Sequence, residues 1–125
     1  MLKSRRIVCS FQAELEVLED RLEPLYRKLV QSLGNLGKAE AAKLIGVCEG
    51  RFSKTFKQLA GMTYPQAKTR VKMEIACVLF SETSTSILRV AEILRYSERS
   101  NFDRVFTRVI GVRAARFRRK HQFLT

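Results

Sequence analysis

One pattern occurs twice along this chain. The first copy places Ala42, Leu44, Ile45, Phe52, Phe56 and Gly61, and the second places Ala91, Ile93, Leu94, Phe102, Phe106 and Gly111. The spacings agree apart from one extra residue before Phe102. Each copy reads as a short helix, a tight turn, a second helix and a glycine stop, the outline of a helix-turn-helix. Phenylalanines four apart on a helix bury one stripe, so Phe52, Phe56, Phe102 and Phe106 are assigned to the core. With 46% hydrophobic residues, only two prolines and six glycines, the chain is expected to be globular and all-α.

The remaining elements follow from periodicity and punctuation. Phe11, Leu15, Leu18 and Leu22 predict a helix over 10–22. Pro24 then opens a second helix over 24–33, because proline is tolerated in a first turn but not mid-helix. Gly34 to Gly37 ends it. Lys38 to Ile45 and Cys48 to Ala60 form the first repeat. Pro65 opens a connector over about 64–80, followed by a Ser/Thr-rich loop near Ser81–Ser86. Ile87 to Leu94 and Glu98 to Ile110 form the second repeat, and a basic helix over about 113–121 closes the chain. The expected domains are an N-terminal helical extension, 1–23, and a two-unit domain, 24–121, with units at about 24–61 and 86–121. Gly46 is expected in the left-handed turn position of the first repeat, and Arg95-Tyr96 makes the turn of the second.

The net charge is +12, and it is unevenly spread. Residues 1–33 are nearly balanced, whereas no acid follows Asp103. An excess of this kind needs an anionic partner. Cys9, Cys48 and Cys77 form no CxxC pair and His121 stands far from them, so no metal or cofactor is expected; reduced thiols suit a cytoplasmic setting. Cys48 is read as a small residue at a helix cap, Cys77 as core and His121 as a surface residue. The apolar run after Lys3, Arg5 and Arg6 fails at Gln12, and no stretch has transmembrane length. No catalytic constellation is present.

At Ile87, Val90, Ala91, Tyr96, Ser97, Ser100, Phe102, Arg104, Phe106, Arg108, Gly111, Phe117 and Arg118, the sequence resembles the DNA-binding domain of AraC/XylS-type bacterial transcription regulators. Phe52, Ser53, Lys54, Thr55, Phe56, Lys57 and Gly61 match the same pattern in the first copy. The resemblance covers about residues 24–120. It implies two helix-turn-helix units joined by a long helix, each inserting a recognition helix into the major groove. Three positions depart from the pattern. Arg95 stands where glycine is usual, Ala114 where proline is usual, and Gly50 offers no side chain on the first recognition helix.

By this resemblance the base-reading candidates are Arg99, Ser100, Asn101 and Arg104 in the second unit. Ser53 and Lys54 are their counterparts in the first. Arginine pairs with guanine and asparagine with adenine through bidentate bonds, which agrees independently. The alternative for Arg99 and Arg104 is phosphate contact, or ion pairing with Glu98 or Asp103. Phosphate candidates are Arg51, Lys57, Arg108, Arg116, Arg118, Arg119 and Lys120. The helix N-termini at Lys38 and Ile87 offer further backbone donors.

The expected function is sequence-specific binding of double-stranded DNA in transcription regulation. A monomer suffices to span two groove segments roughly 34 Å apart. The alternative is a non-specific basic nucleic-acid binder, nucleoid- or RNA-associated, which needs no particular recognition-face residues. A third reading, a protein-interaction module through Leu15, Leu18 and Leu22, has too short a helix to hold a dimer. Activation would need a patch for RNA polymerase, and no residue pattern marks one. No effector domain is visible, so either the chain acts alone or it is the DNA-binding part of a larger regulator.

Overall fold

The computed structural model describes residues 22–122. The helix expected over 10–22, the extension over 1–23 and Cys9 thus lie wholly or almost wholly outside the described residues. Seven α-helices and no strand occur among the described residues: α1 (Glu23–Gln31), α2 (Lys38–Leu44), α3 (Glu49–Ala60), α4 (Tyr64–Glu82), α5 (Ile87–Ile93), α6 (Arg99–Ile110) and α7 (Ala114–Gln122). They form two compact units, with the boundary after Lys72 inside α4.

In the first unit, Pro24 sits in the first turn of α1. The helix closes through Leu33 and Gly34, both with positive φ, and the Gly34 N–H donates to Leu29 O at 2.8 Å. A Cβ on Gly34 would meet Lys72 Cγ at 2.5 Å and Lys68 O at 3.3 Å, so glycine is required there for approach as well as for φ. Tyr26, Phe52, Phe56 and Tyr64 make the aromatic core, with Tyr64 edge-on to Phe52 at 4.9 Å and to Phe56 at 5.2 Å. The connector α4 starts with a reciprocal cap. Gln66 N–H donates to Thr63 Oγ1 at 3.3 Å, and Thr63 N–H donates to Gln66 Oε1 at 3.0 Å.

The second unit repeats this plan. Its core takes Met73, Ala76, Cys77 and Phe80 from α4, Ile87, Val90 and Ala91 from α5, Phe102 and Phe106 from α6, and Ala114 and Phe117 from α7. Phe80 faces Phe102, Phe106 and Phe117 at ring distances of 6.2, 5.8 and 6.4 Å. Cys77 is core as expected, and burial, with Glu74 adding to it, pushes its thiol pKa upward.

His121 departs from expectation. It is only 7% exposed, its ring stacks on Phe117 at 4.1 Å, and Nδ1 lies 2.9 Å from Phe117 O. The reason is helical period: α7 turns Ala114, Phe117 and His121 onto its buried face. The connector also runs two residues beyond its expected end, to Glu82. Cys48 is the extended N-cap of α3, the cap position expected for it, whereas Glu98, expected as the first residue of its helix, is instead the extended N-cap of α6.

The two turns superimpose in conformation. Gly46 has φ 72° and Arg95 has φ 65°. Val47 N–H reaches Ala42 O at 3.1 Å, and Tyr96 N–H reaches Ala91 O at 2.9 Å. The left-handed conformation costs a non-glycine residue about 1 kcal/mol. Arg95→Gly is therefore expected to stabilise the chain by somewhat less than 1 kcal/mol, because glycine also adds unfolded-state freedom. Urea midpoints at equal m-value would show it.

Candidate nucleic-acid interface

Amphipathic helices build both candidate faces. On α6 the Phe102–Phe106 stripe is fully buried, which turns Arg99, Ser100, Asn101 and Arg104 outward to solvent. All four sit in the first turns of the helix, the end that meets base edges when a recognition helix docks. Arg99 Nε lies 3.5 Å from Asp103 Oδ2 in an exposed ion pair, one of the alternatives open for Arg99. A pair this exposed is weak and exchangeable. Ser100 Oγ is 3.5 Å from Glu98 Oε2. Arg104 is exposed and makes no ion pair among the described residues.

The α3 face is sparser. Gly50, Arg51, Ser53, Lys54 and Lys57 are exposed opposite buried Phe52 and Phe56. A Cβ at Gly50 would meet nothing within 4 Å. Gly50→Ala is thus expected to stabilise α3 by no more than about 0.5 kcal/mol, since alanine adds helix propensity without a clash but Gly50 stands in the first turn, where the interior penalty of glycine is not fully felt. A higher thermal midpoint would register it.

Beside α6 the surface is concave. A cleft of about 610 Å³ is lined by Arg99, Asp103, Arg104, Thr107, Arg108, Arg113, Ala114 and Ala115. Four arginines face a single acid there. Ala114 and Ala115 open α7, so its first-turn N–H groups and the positive end of its dipole border the cleft. Arg108 also lies near Tyr96: burial raises that phenol's pKa, and the arginine's charge partly opposes the rise. Arg113 was not singled out by spacing, although its place in the acid-free run after Asp103 was a signal for it.

Arg116, Arg119 and Lys120 are exposed on α7. Arg118, by contrast, is half-buried and donates to Thr85 O through Nε at 3.1 Å and to Ser84 O through Nη2 at 3.4 Å. At the start of α5, Ser86 Oγ already accepts from Arg89 N–H at 3.1 Å. At the start of α2, Gly37 supplies no side-chain cap. Cys48 is exposed at the start of α3 and makes no side-chain cap bond.

Comparison with known proteins agrees with this geometry. A family profile described as a helix-turn-helix domain matches residues 41–120. Among curated proteins, the RCS-specific HTH-type transcriptional activator RclR of Escherichia coli is 23% identical over 105 residues, which covers 83% of this chain and 37% of that protein. The MmsAB operon regulatory protein of Pseudomonas aeruginosa is 27% identical over 86 residues, or 66% of this chain and 28% of that one. The chain therefore spans only about a third of the length of these relatives. Among solved structures, an AraC-type transcriptional regulator from Chromobacterium violaceum aligns with TM-score 0.74 at 17% identity, covering 84% of this chain and 95% of that one. The C-terminal domain of AraT, a response regulator from Geobacillus stearothermophilus, aligns with TM-score 0.67 at 24% identity over 82% and 87%. The profile match covers well over half of the residues and takes in both repeats, so this chain belongs to the helix-turn-helix family of AraC-type DNA-binding domains.

Proposed function

We propose that the chain regulates transcription by reading double-stranded DNA with α3 and α6, each laid in a major-groove segment. One observation carries the reading. The second recognition helix exposes Arg99, Ser100, Asn101 and Arg104 together, opposite a buried aromatic stripe. Arginine and asparagine have hydrogen-bonding edges matched to guanine and adenine, and a serine hydroxyl can pair with either. The relatives described as a transcriptional activator and an operon regulatory protein support it. A non-specific binder would need the charge but not this grouping.

Ser53 and Lys54 are the reading residues of α3, with fewer bases within reach because Gly50 is bare. Arg51, Lys57, Arg108, Arg116, Arg119 and Lys120 contact phosphate, and Arg113 joins them through the cleft. One chain carries both readers, so a monomer is the binding unit. Selection of duplexes from a random library at near-physiological salt tests the whole reading. An asymmetric motif with two blocks one helical turn apart is expected. Absence of any enriched motif, with affinity that vanishes as salt rises, would refute it.

The cleft gives a separate expectation. Arg108→Ala and Arg113→Ala should each lower the slope of log affinity against log salt by about one, with equal losses on cognate and random duplexes. Titrations at four salt concentrations would measure it.

A further inference from the structure

The two repeats can be compared at a single backbone atom. In the first unit the Leu36 carbonyl, two residues before α2 begins, accepts from the buried Tyr64 hydroxyl at 2.8 Å. In the second unit the Thr85 carbonyl, two residues before α5 begins, accepts from Arg118 Nε at 3.1 Å. Each donor lies on the helix that follows the recognition helix, α4 in one unit and α7 in the other. A phenol thus performs in one repeat what a guanidinium performs in the other.

The second clamp is the more extensive. Nε and Nη2 share one edge of the planar guanidinium, so a single rigid fork spans the Ser84 and Thr85 carbonyls. The loop is tied from its other side as well. Thr83 Oγ1 donates to Leu79 O at 2.5 Å and lies 2.7 Å from Thr85 Oγ1, and Thr85 N–H donates to Thr83 Oγ1 at 3.2 Å. Ser86 then caps α5. The end of α4, the loop, the start of α5 and α7 form one hydrogen-bonded junction, and Arg118 is its long-range member. The exposed basic residues of α7, Arg116, Arg119 and Lys120, make no such bond to the loop among the described residues.

We infer that Arg118 is a positioning residue: it acts through the Ser84–Thr85 backbone to hold α5, the helix that packs on α6, and not by neutralising a DNA phosphate. The effect on binding rests on the proposed reading of DNA, whereas the clamp itself can be measured without DNA. The test compares the full chain with Arg118→Ala, Arg118→Lys and Arg116→Ala. In the absence of DNA, Arg118→Ala should speed amide exchange across Ile87–Ile93 by about ten- to a hundredfold and leave α3 unchanged. Arg118→Lys, able to hold one carbonyl, should fall between Arg118→Ala and the unsubstituted chain, and it supplies the readout if the alanine variant does not fold. With DNA, Arg118→Ala should bind more weakly at an unchanged salt slope, whereas Arg116→Ala should lower the slope by about one. Unchanged α5 exchange in the variants, or a slope lowered by about one in Arg118→Ala, would overturn the inference. If no chain distinguishes one duplex from another, the DNA reading fails and the exchange result still decides the clamp.

Discussion

Phe80→Ala is expected to cost about 3–5 kcal/mol, the usual range for removing a fully buried aromatic ring from a close-packed core. Phe80 is fully buried and faces rings from both α6 and α7. Its removal deletes contacts to Phe102, Phe106 and Phe117 together, and no smaller side chain can restore three edge or tilted ring contacts. Native stabilities of ordinary domains are only about 5–15 kcal/mol, so a loss of this size puts the second unit near its unfolding threshold. Amide exchange across α6 should approach the unfolded rate while denaturant midpoints fall sharply. A midpoint shifted by less than 1 kcal/mol equivalent would show that the ring cluster contributes little.

Arg104→Ala is expected to reduce affinity for the cognate duplex by about 1–3 kcal/mol and to relax preference at one base pair. Arg104 suits this role better than Arg99. It is exposed on the reading face and enters no ion pair among the described residues, whereas Arg99 must first leave Asp103. The discriminating measurement is competition between the cognate duplex and duplexes altered at single positions. Equal weakening on every duplex would assign Arg104 to phosphate and leave Asn101 and Ser100 as the readers.

Much of the architecture was legible because the chain states it twice. The resemblance to the AraC/XylS pattern put Arg95 at a turn position where glycine is usual, and it shares the left-handed backbone of Gly46 in the first repeat. The phenylalanine stripes, the glycine stops and Pro24 were readable from local chemistry alone. The contacts of α7 were not. Arg118 sits among basic neighbours, and its partner is a backbone carbonyl 33 residues away, which no side-chain pattern announces. His121 looked terminal and polar, yet the turn of the helix carries it beneath Phe117. Arg113 entered the site only when folding placed it beside the start of α7 and the last turns of α6. Sequence periodicity encodes which face of a helix is apolar. It does not encode which distant loop that face will meet.

Gly50 has a consequence for how such a protein changes over time. Helix α3 carries an open position on the face proposed to read DNA: beyond its chain neighbours and the helix's own backbone, nothing lies within 4 Å of where a Cβ would stand. Most altered-specificity changes must replace a side chain that already works, losing one preference before gaining another. At Gly50 there is nothing to lose and helix propensity to gain. On the proposed reading, new side chains there add contacts to the first block of a DNA site while the second block keeps its own. The position is an unwritten letter in the recognition code, open to selection or to design without a passage through an inactive intermediate.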